Sequence, residues 1–293
     1  MNNTKLILGT AMWGWSVEEK ECFKILDLFY SNGYREIDSA TNYPINRNIQ
    51  SFRKAEKILK EWIKTNNIRD LKINLKIGSL SNSGSPDINL KKSFLLLSHD
   101  YYRSFFKENL FQIMIHWDNR NNQSLIEHTI DTLVSIQDTI KVGLSGIKHP
   151  ELYKSFVLAN KINMQIKHNL FNSAISHYSI FKGKKLFTAY GLNAGGFKPG
   201  KSKKQMKTFT KRQHTKQLKI MDLKWKEIEE KIKLINIEKI GLNKISMINC
   251  FFNKDIIGVV TGPSNTNQLK DVMTFHKATP NNNHKLIYKA LNK

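Results

Sequence analysis

Eight apolar runs of strand length, each followed by residues at helical spacing, predict a (β/α)8 TIM barrel. Three observations carry that prediction. Strand and helix alternate along the whole chain, and a crossover helix returns the chain to the same end, so the strands pair in parallel. The length of 293 residues suits one such barrel, which takes ~250. A hydrophobic content of 40% supports a sizeable core. No internal repeat or linker divides the sequence, so residues 1–293 are read as a single domain with an extra C-terminal helix.

Lys5 to Leu8 forms the first strand and runs into Gly9-Thr10. Ser16 is placed to cap a helix whose apolar residues Cys22, Phe23, Leu26, Phe29 and Tyr30 recur at helical spacing. Gly33 stops it, because glycine enters the left-handed region at little cost. Tyr34 to Ile37 then runs extended and delivers Asp38, with Tyr43 five residues further on. A helix follows over Ile49 to Ile63. Leu71 to Ile77 alternates apolar and polar as a strand. Asp87 is placed to cap the helix Leu90 to Phe106, after the turn-rich segment 81–86. Leu110 to Ile115 is the fourth strand and leads into His116-Trp117-Asp118.

A helix over Ser124 to Gln137, a strand over Thr139 to Leu144 and a helix over Pro150 to Asn160 come next. Asn163 to Ile166 is the sixth strand. A short helix around Ser173 to Phe181 precedes the strand Lys185 to Tyr190. Helices near Ile220 to Ile235 and Asn243 to Phe252 lead to the last strand, Ile256 to Val260. Thr261-Gly262-Pro263 turns into a helix capped by Ser264, and a C-terminal helix closes the chain.

Composition limits the function classes. Cys22 and Cys250 are far apart and read as buried thiols, so neither a disulfide framework nor a metal site is expected. No signal peptide and no apolar run of ~18 residues is visible, and a cytoplasmic location is the default. The net charge of +23 is spread along the chain as a solvated surface, which argues against a nucleic-acid or membrane partner. One stretch stands out. Residues 198–219 hold nine Lys or Arg and no acid, and read as a basic loop insertion.

In a barrel of this kind the chemistry lies at the carboxyl ends of the strands. Asp38, Tyr43, Lys76 and His116 all fall there. Together they suit carbonyl reduction, which needs hydride on carbon and a proton on oxygen. A free phenol, with a pKa of about 10, is a weak acid at neutral pH, and a neighbouring ammonium lowers that value. Tyr43 is therefore expected to be the general acid, Lys76 and Asp38 its tuning pair, and His116 the group that orients the carbonyl oxygen. Trp13 and Trp117 flank this position and are expected to pack the substrate.

The stretch Gly33 to Tyr43 resembles the signature of the aldo-keto reductase family, in which the Asp and Tyr belong to a catalytic tetrad. The resemblance extends along nearly the whole chain. Leu8 to Gly14 is similar to the family's opening strand, Lys76-Ile77 to its tetrad lysine and Ile115-His116 to its strand-four histidine. Gly143-Leu144-Ser145, Gln165 with Asn169, Ala189-Tyr190 and Gly262 through Leu269 follow in order. The resemblance implies an enzyme that reduces an aldehyde or ketone, such as a sugar derivative, with NADPH, or with NADH in its place. By it Thr10 and Asp38 line the cofactor site, Ser145 and Gln165 hold the nicotinamide carboxamide, and Tyr190 stacks on its ring. Gly262, Ser264, Asn265 and Gln268 serve the adenosine and phosphate end, where a turn into a helix N-terminus is an anion site.

Several positions depart from the family's pattern. Gly146 stands in place of the usual Asn, His168 in place of a Tyr, and Pro44 in place of a Gly. No Arg or Lys accompanies Ser264 and Asn265 to meet a 2′-phosphate. The alternative function is a non-catalytic, cofactor-binding regulatory subunit on the same fold. The small-molecule carbonyl partner and the oligomeric state are not specified by these residues.

Overall fold

The computed structural model describes residues 4–83, 87–205, 214–237, 240–278 and 280–292. Eight strands close into a parallel barrel in sequence order. They are β1 (Lys5–Gly9), β2 (Glu36–Ala40), β3 (Lys72–Ile77), β4 (Leu110–His116), β5 (Lys141–Ser145), β6 (Asn163–Lys167), β7 (Phe187–Tyr190) and β8 (Ile256–Thr261). Closure rests on β1 against β8, where Lys5 to Leu8 pair with Gly258 to Thr261. Leu8, Ile37, Ile73, Leu75, Ile113 and Leu144 are fully shielded, so apolar burial around the strands holds the ring together.

The helices lie outside the ring: α1 (Glu19–Ser31), α2 (Lys54–Thr65), α3 (Lys92–Phe106), α4 (Gln123–Gln137), α5 (Lys154–Asn160), α6 (Thr215–Leu234), α7 (Leu242–Phe251), α8 (Thr266–Lys277) and α9 (Asn282–Leu291). Each of the first four buries one stripe, as Cys22, Ile25, Leu26 and Phe29 do in α1. Gly33, at φ +85°, follows α1 and donates its N–H to Tyr30 O, the role expected for it. Helices α6, α7 and α9 share a second apolar cluster built on Trp225, Ile232, Ile245, Ile248 and Ile287. It is separate from the main cluster around the strands. Among the described residues no helix is long and apolar enough to cross a membrane.

Local expectations needed correction in five places. Ser16 does not cap α1, because the N–H groups of Trp15, Ser16 and Val17 all turn onto Met12 O and Glu18 becomes the boundary residue. Asp87 does not cap α3, which begins after Lys91. Asn265, and not Ser264, caps α8 by accepting from Gln268 N. The helix expected from Ile49 splits into a 3-10 turn, Ile49–Ser51, and α2, because Arg53 takes a left-handed conformation at φ 63°. Between β6 and β7 the only helical piece is the 3-10 turn Ser179–Phe181. Part of the basic stretch 198–219 falls outside the described residues, as do residues 84–86 of the turn before α3.

Candidate active site

Strand ends bring the predicted tetrad into one chamber. Asp38 lies in β2 and Lys76 near the end of β3, where Ala40 pairs with Lys76. Lys76 Nζ donates to Asp38 Oδ2 at 2.5 Å, and both side chains are buried. Tyr43 sits in the loop after β2, held by its N–H to Ala40 O and by Ala55 N–H to its carbonyl. Lys76 Nζ lies 5.0 Å from the centre of the Tyr43 ring. His116 ends β4, and its ring meets Tyr43 edge-on at 6.1 Å between centroids. The Trp117 indole leans over His116 at 4.2 Å.

Charge in this chamber is set by burial. Burial and the Asp38 carboxylate push the Tyr43 phenol well above its usual range. That corrects the expectation that Lys76 would lower it. The ammonium is bound so closely to Asp38 that the pair presents little net positive charge to the phenol. Burial lowers the Lys76 ammonium, and Asp38 opposes that shift. Burial and Lys76 push the His116 imidazole well below its usual range, so the ring is neutral near pH 7. Its Nδ1 is buried without a hydrogen-bond partner, an atom that a bound molecule could satisfy.

Residues expected around a cofactor are distributed unevenly. Ser145, the last residue of β5, pairs with Gln165 of β6, and their side chains meet at 3.5 Å between Oγ and Oε1. Gln165 Nε2 donates to Asp38 Oδ1 at 2.5 Å. Its nitrogen is engaged, and its oxygen remains an acceptor. Ser145 donates its hydroxyl to that oxygen in a long bond, and turning it onto a ligand would present one donor beside one acceptor. One donor and one acceptor side by side are what a primary carboxamide requires, so these two residues fit a nicotinamide. Thr10 is buried and bonds Ser39 Oγ and the Asp38 carbonyl, which ties the ends of β1 and β2 together. Tyr190 ends β7, with its phenol pushed up by burial and by Asp38.

The far end of the expected cofactor site differs from an open anion site. Ser264 N–H donates to Gln268 Oε1 and Gln268 N–H to Asn265 Oδ1. Thr266 N–H donates to Glu21 Oε1 of α1 at 3.0 Å. The first turn of α8 therefore already carries a carboxylate. Gly262 is exposed, and a Cβ there would meet the Gly9 carbonyl oxygen at 3.9 Å, an ordinary contact.

Trp13 is buried, and its Nε1, like His116 Nδ1, has no hydrogen-bond partner in the structure. Trp117 is half-buried and does reach the chamber. Its place depends on two features that local sequence reading missed. Gly146 has φ +66°, and a Cβ there would lie 2.6 Å from Trp117 Cδ1, so the absent side chain leaves room for the indole. Asp118 is buried and accepts from Arg120 at 2.8 Å and from Tyr153 Oη at 2.7 Å, which anchors the turn that holds Trp117 at φ 64°. The run His116-Trp117-Asp118 was the only local signal of it. His168 bonds Ser173 and Asn249, away from the tetrad. Asn169 uses its side chain within its own loop and on Gly191 O.

The model of the Aldo/keto reductase family matches residues 5–283. Among solved structures the fold is similar to the aldo-keto reductase AKR11C1 from Bacillus halodurans in its holo form. That likeness has a TM-score of 0.72 and 15% identity, and covers 98% of this chain and 91% of that one. Comparison with curated proteins finds no match.

Proposed function

Because the chain belongs to the aldo/keto reductase family, we propose that it reduces an aldehyde or ketone to the alcohol with Tyr43 as the proton donor. The single observation that carries this is the convergence of Tyr43, Lys76, Asp38 and His116 from β2, β3, β4 and the loop after β2. When bound, a nicotinamide dinucleotide supplies the hydride. The dinucleotide is NADPH or NADH: the net charge of +23 attracts the extra phosphate at long range, and Glu21 opposes it locally.

The residues have distinct tasks. Ser145 donates to the carboxamide oxygen and Gln165 Oε1 accepts from its nitrogen, which orients one face of the ring. His116, neutral in its buried position, donates an N–H to the carbonyl oxygen and shares the charge that develops there. Tyr43 keeps its proton in the resting site, and releases it only to a far stronger base, the alkoxide that forms on hydride arrival. Lys76 then faces the new phenolate, and Asp38 keeps the lysine charged. Trp117 packs the substrate beside His116.

The test is absorbance loss of NADPH and NADH with a panel of aldehydes, ketones and keto-sugars. Carbonyl-dependent oxidation of either dinucleotide supports the proposal. Cofactor binding with no turnover on any class of carbonyl would overturn it.

A further inference from the structure

Asp38 is gripped from two sides. Oδ2 takes the Lys76 ammonium and Oδ1 takes the Gln165 amide, each at 2.5 Å. Lys76 is the neighbour on β3. Gln165 is on β6, four strands away around an eight-strand ring, so its side chain crosses the barrel interior to reach the carboxylate. All three residues are at least nine-tenths buried. A carboxylate only accepts hydrogen bonds, so the group facing it must be the amide nitrogen, and the orientation of Gln165 follows from chemistry. Without that N–H, Oδ1 would be a buried charged acceptor lacking its side-chain donor.

We infer that Gln165 is a positioning residue, whose N–H holds the Asp38 carboxylate against Lys76 and links cofactor occupancy to the pair beside Tyr43. The link to turnover rests on the function proposed above; the tether itself does not. A carboxamide donating to Gln165 Oε1 polarises the amide, and a polarised amide donates more strongly to Asp38. The cofactor would thus reinforce the Asp38–Lys76 pair without touching Lys76.

Gln165→Glu separates this role from simple carboxamide binding. When protonated, the new carboxyl donates to Asp38 as the amide does, and it still offers an oxygen to the carboxamide. When ionised it places a second anion against Asp38, and two carboxylates in such contact share one proton. The cofactor-free variant should therefore melt close to wild type at pH ~5 and fall progressively below it by pH ~8. Relative to wild type, its kcat should drop at least about tenfold between the lower and the higher pH, and cofactor Kd should rise over the same interval, because a tether that the cofactor reinforces must in turn favour the cofactor. Gln165→Met, with neither donor nor titratable group, should lose stability and kcat by the same factor at every pH.

A Gln165→Glu melting curve parallel to wild type across this range would overturn the inference. So would a loss confined to cofactor Kd, or a variant that fails to fold at the lower pH, where the tether is restored. The cofactor-free melting curves decide the matter even if wild type turns over no carbonyl, so failure of the proposed reaction is seen separately.

Discussion

Lys76 Nζ lies 2.5 Å from Asp38 Oδ2, and both side chains are shielded almost entirely from solvent. A buried ion pair of this kind is weak support for stability as a pair, yet breaking it leaves one uncompensated charge, at a cost of ~3–5 kcal/mol. Asp38→Leu and Lys76→Met should each destabilise by about that amount in denaturant unfolding. The double variant should recover most of the loss and remain inactive. Recovery stays incomplete because Gln165 Nε2 loses its acceptor. Single variants within ~1 kcal/mol of wild type would contradict a desolvated pair.

On the proposed function, Glu21 is placed to discriminate between dinucleotides. Its carboxylate on Thr266 N–H takes the positive end of α8 and repels a 2′-phosphate there. Fluorescence titration should give NADPH and NADH affinities within about tenfold of each other in wild type, the long-range attraction and the local repulsion opposing one another. Glu21→Gln should shift the ratio toward NADPH by about two- to tenfold. An unchanged ratio would remove Glu21 from cofactor selection.

Glu56 makes stability depend on pH. It is wholly buried, accepts from Arg53 Nε at 2.6 Å and from Tyr102 Oη at 3.0 and 3.2 Å, and burial raises its pKa from 4.5 to about 7. Between those values the folded state keeps a proton that the unfolded state has released. Stability is therefore greatest on the acid side of the window and falls as pH rises toward 7, by on the order of 2–3 kcal/mol from this group. Glu56→Gln should flatten that slope in melting curves taken from pH ~5 to ~8. A wild-type curve with the same slope as the variant would show that Glu56 is ionised throughout.

The barrel was legible because its signals are local. Alternating apolar residues at Leu71 to Ile77 and the glycine after α1 act within a few positions of themselves. The placement of Lys76 and His116 at strand ends was legible the same way, whereas Asp38, expected just past a strand end, lies within β2, which runs on to Ala40. What stayed hidden depends on partners far along the chain. The Gln165 bond to Asp38 joins residues 127 positions apart. The room that Gly146 leaves for Trp117, the capture of Thr266 N–H by Glu21 and the left-handed turn at Arg53 are likewise settled by tertiary neighbours. The expected fall of the Tyr43 pKa failed for a related reason, because desolvation of the phenol outweighs an ammonium already paired.

Tyr43→Phe tests the proton donor most directly. The substitution removes one oxygen and leaves the ring edge against His116 in place. Carbonyl-dependent oxidation of the dinucleotide should fall by about 10²–10⁴-fold, the range of general acid catalysis, while cofactor Kd stays within about twofold of wild type. Wild-type turnover in Tyr43→Phe would contradict the mechanism.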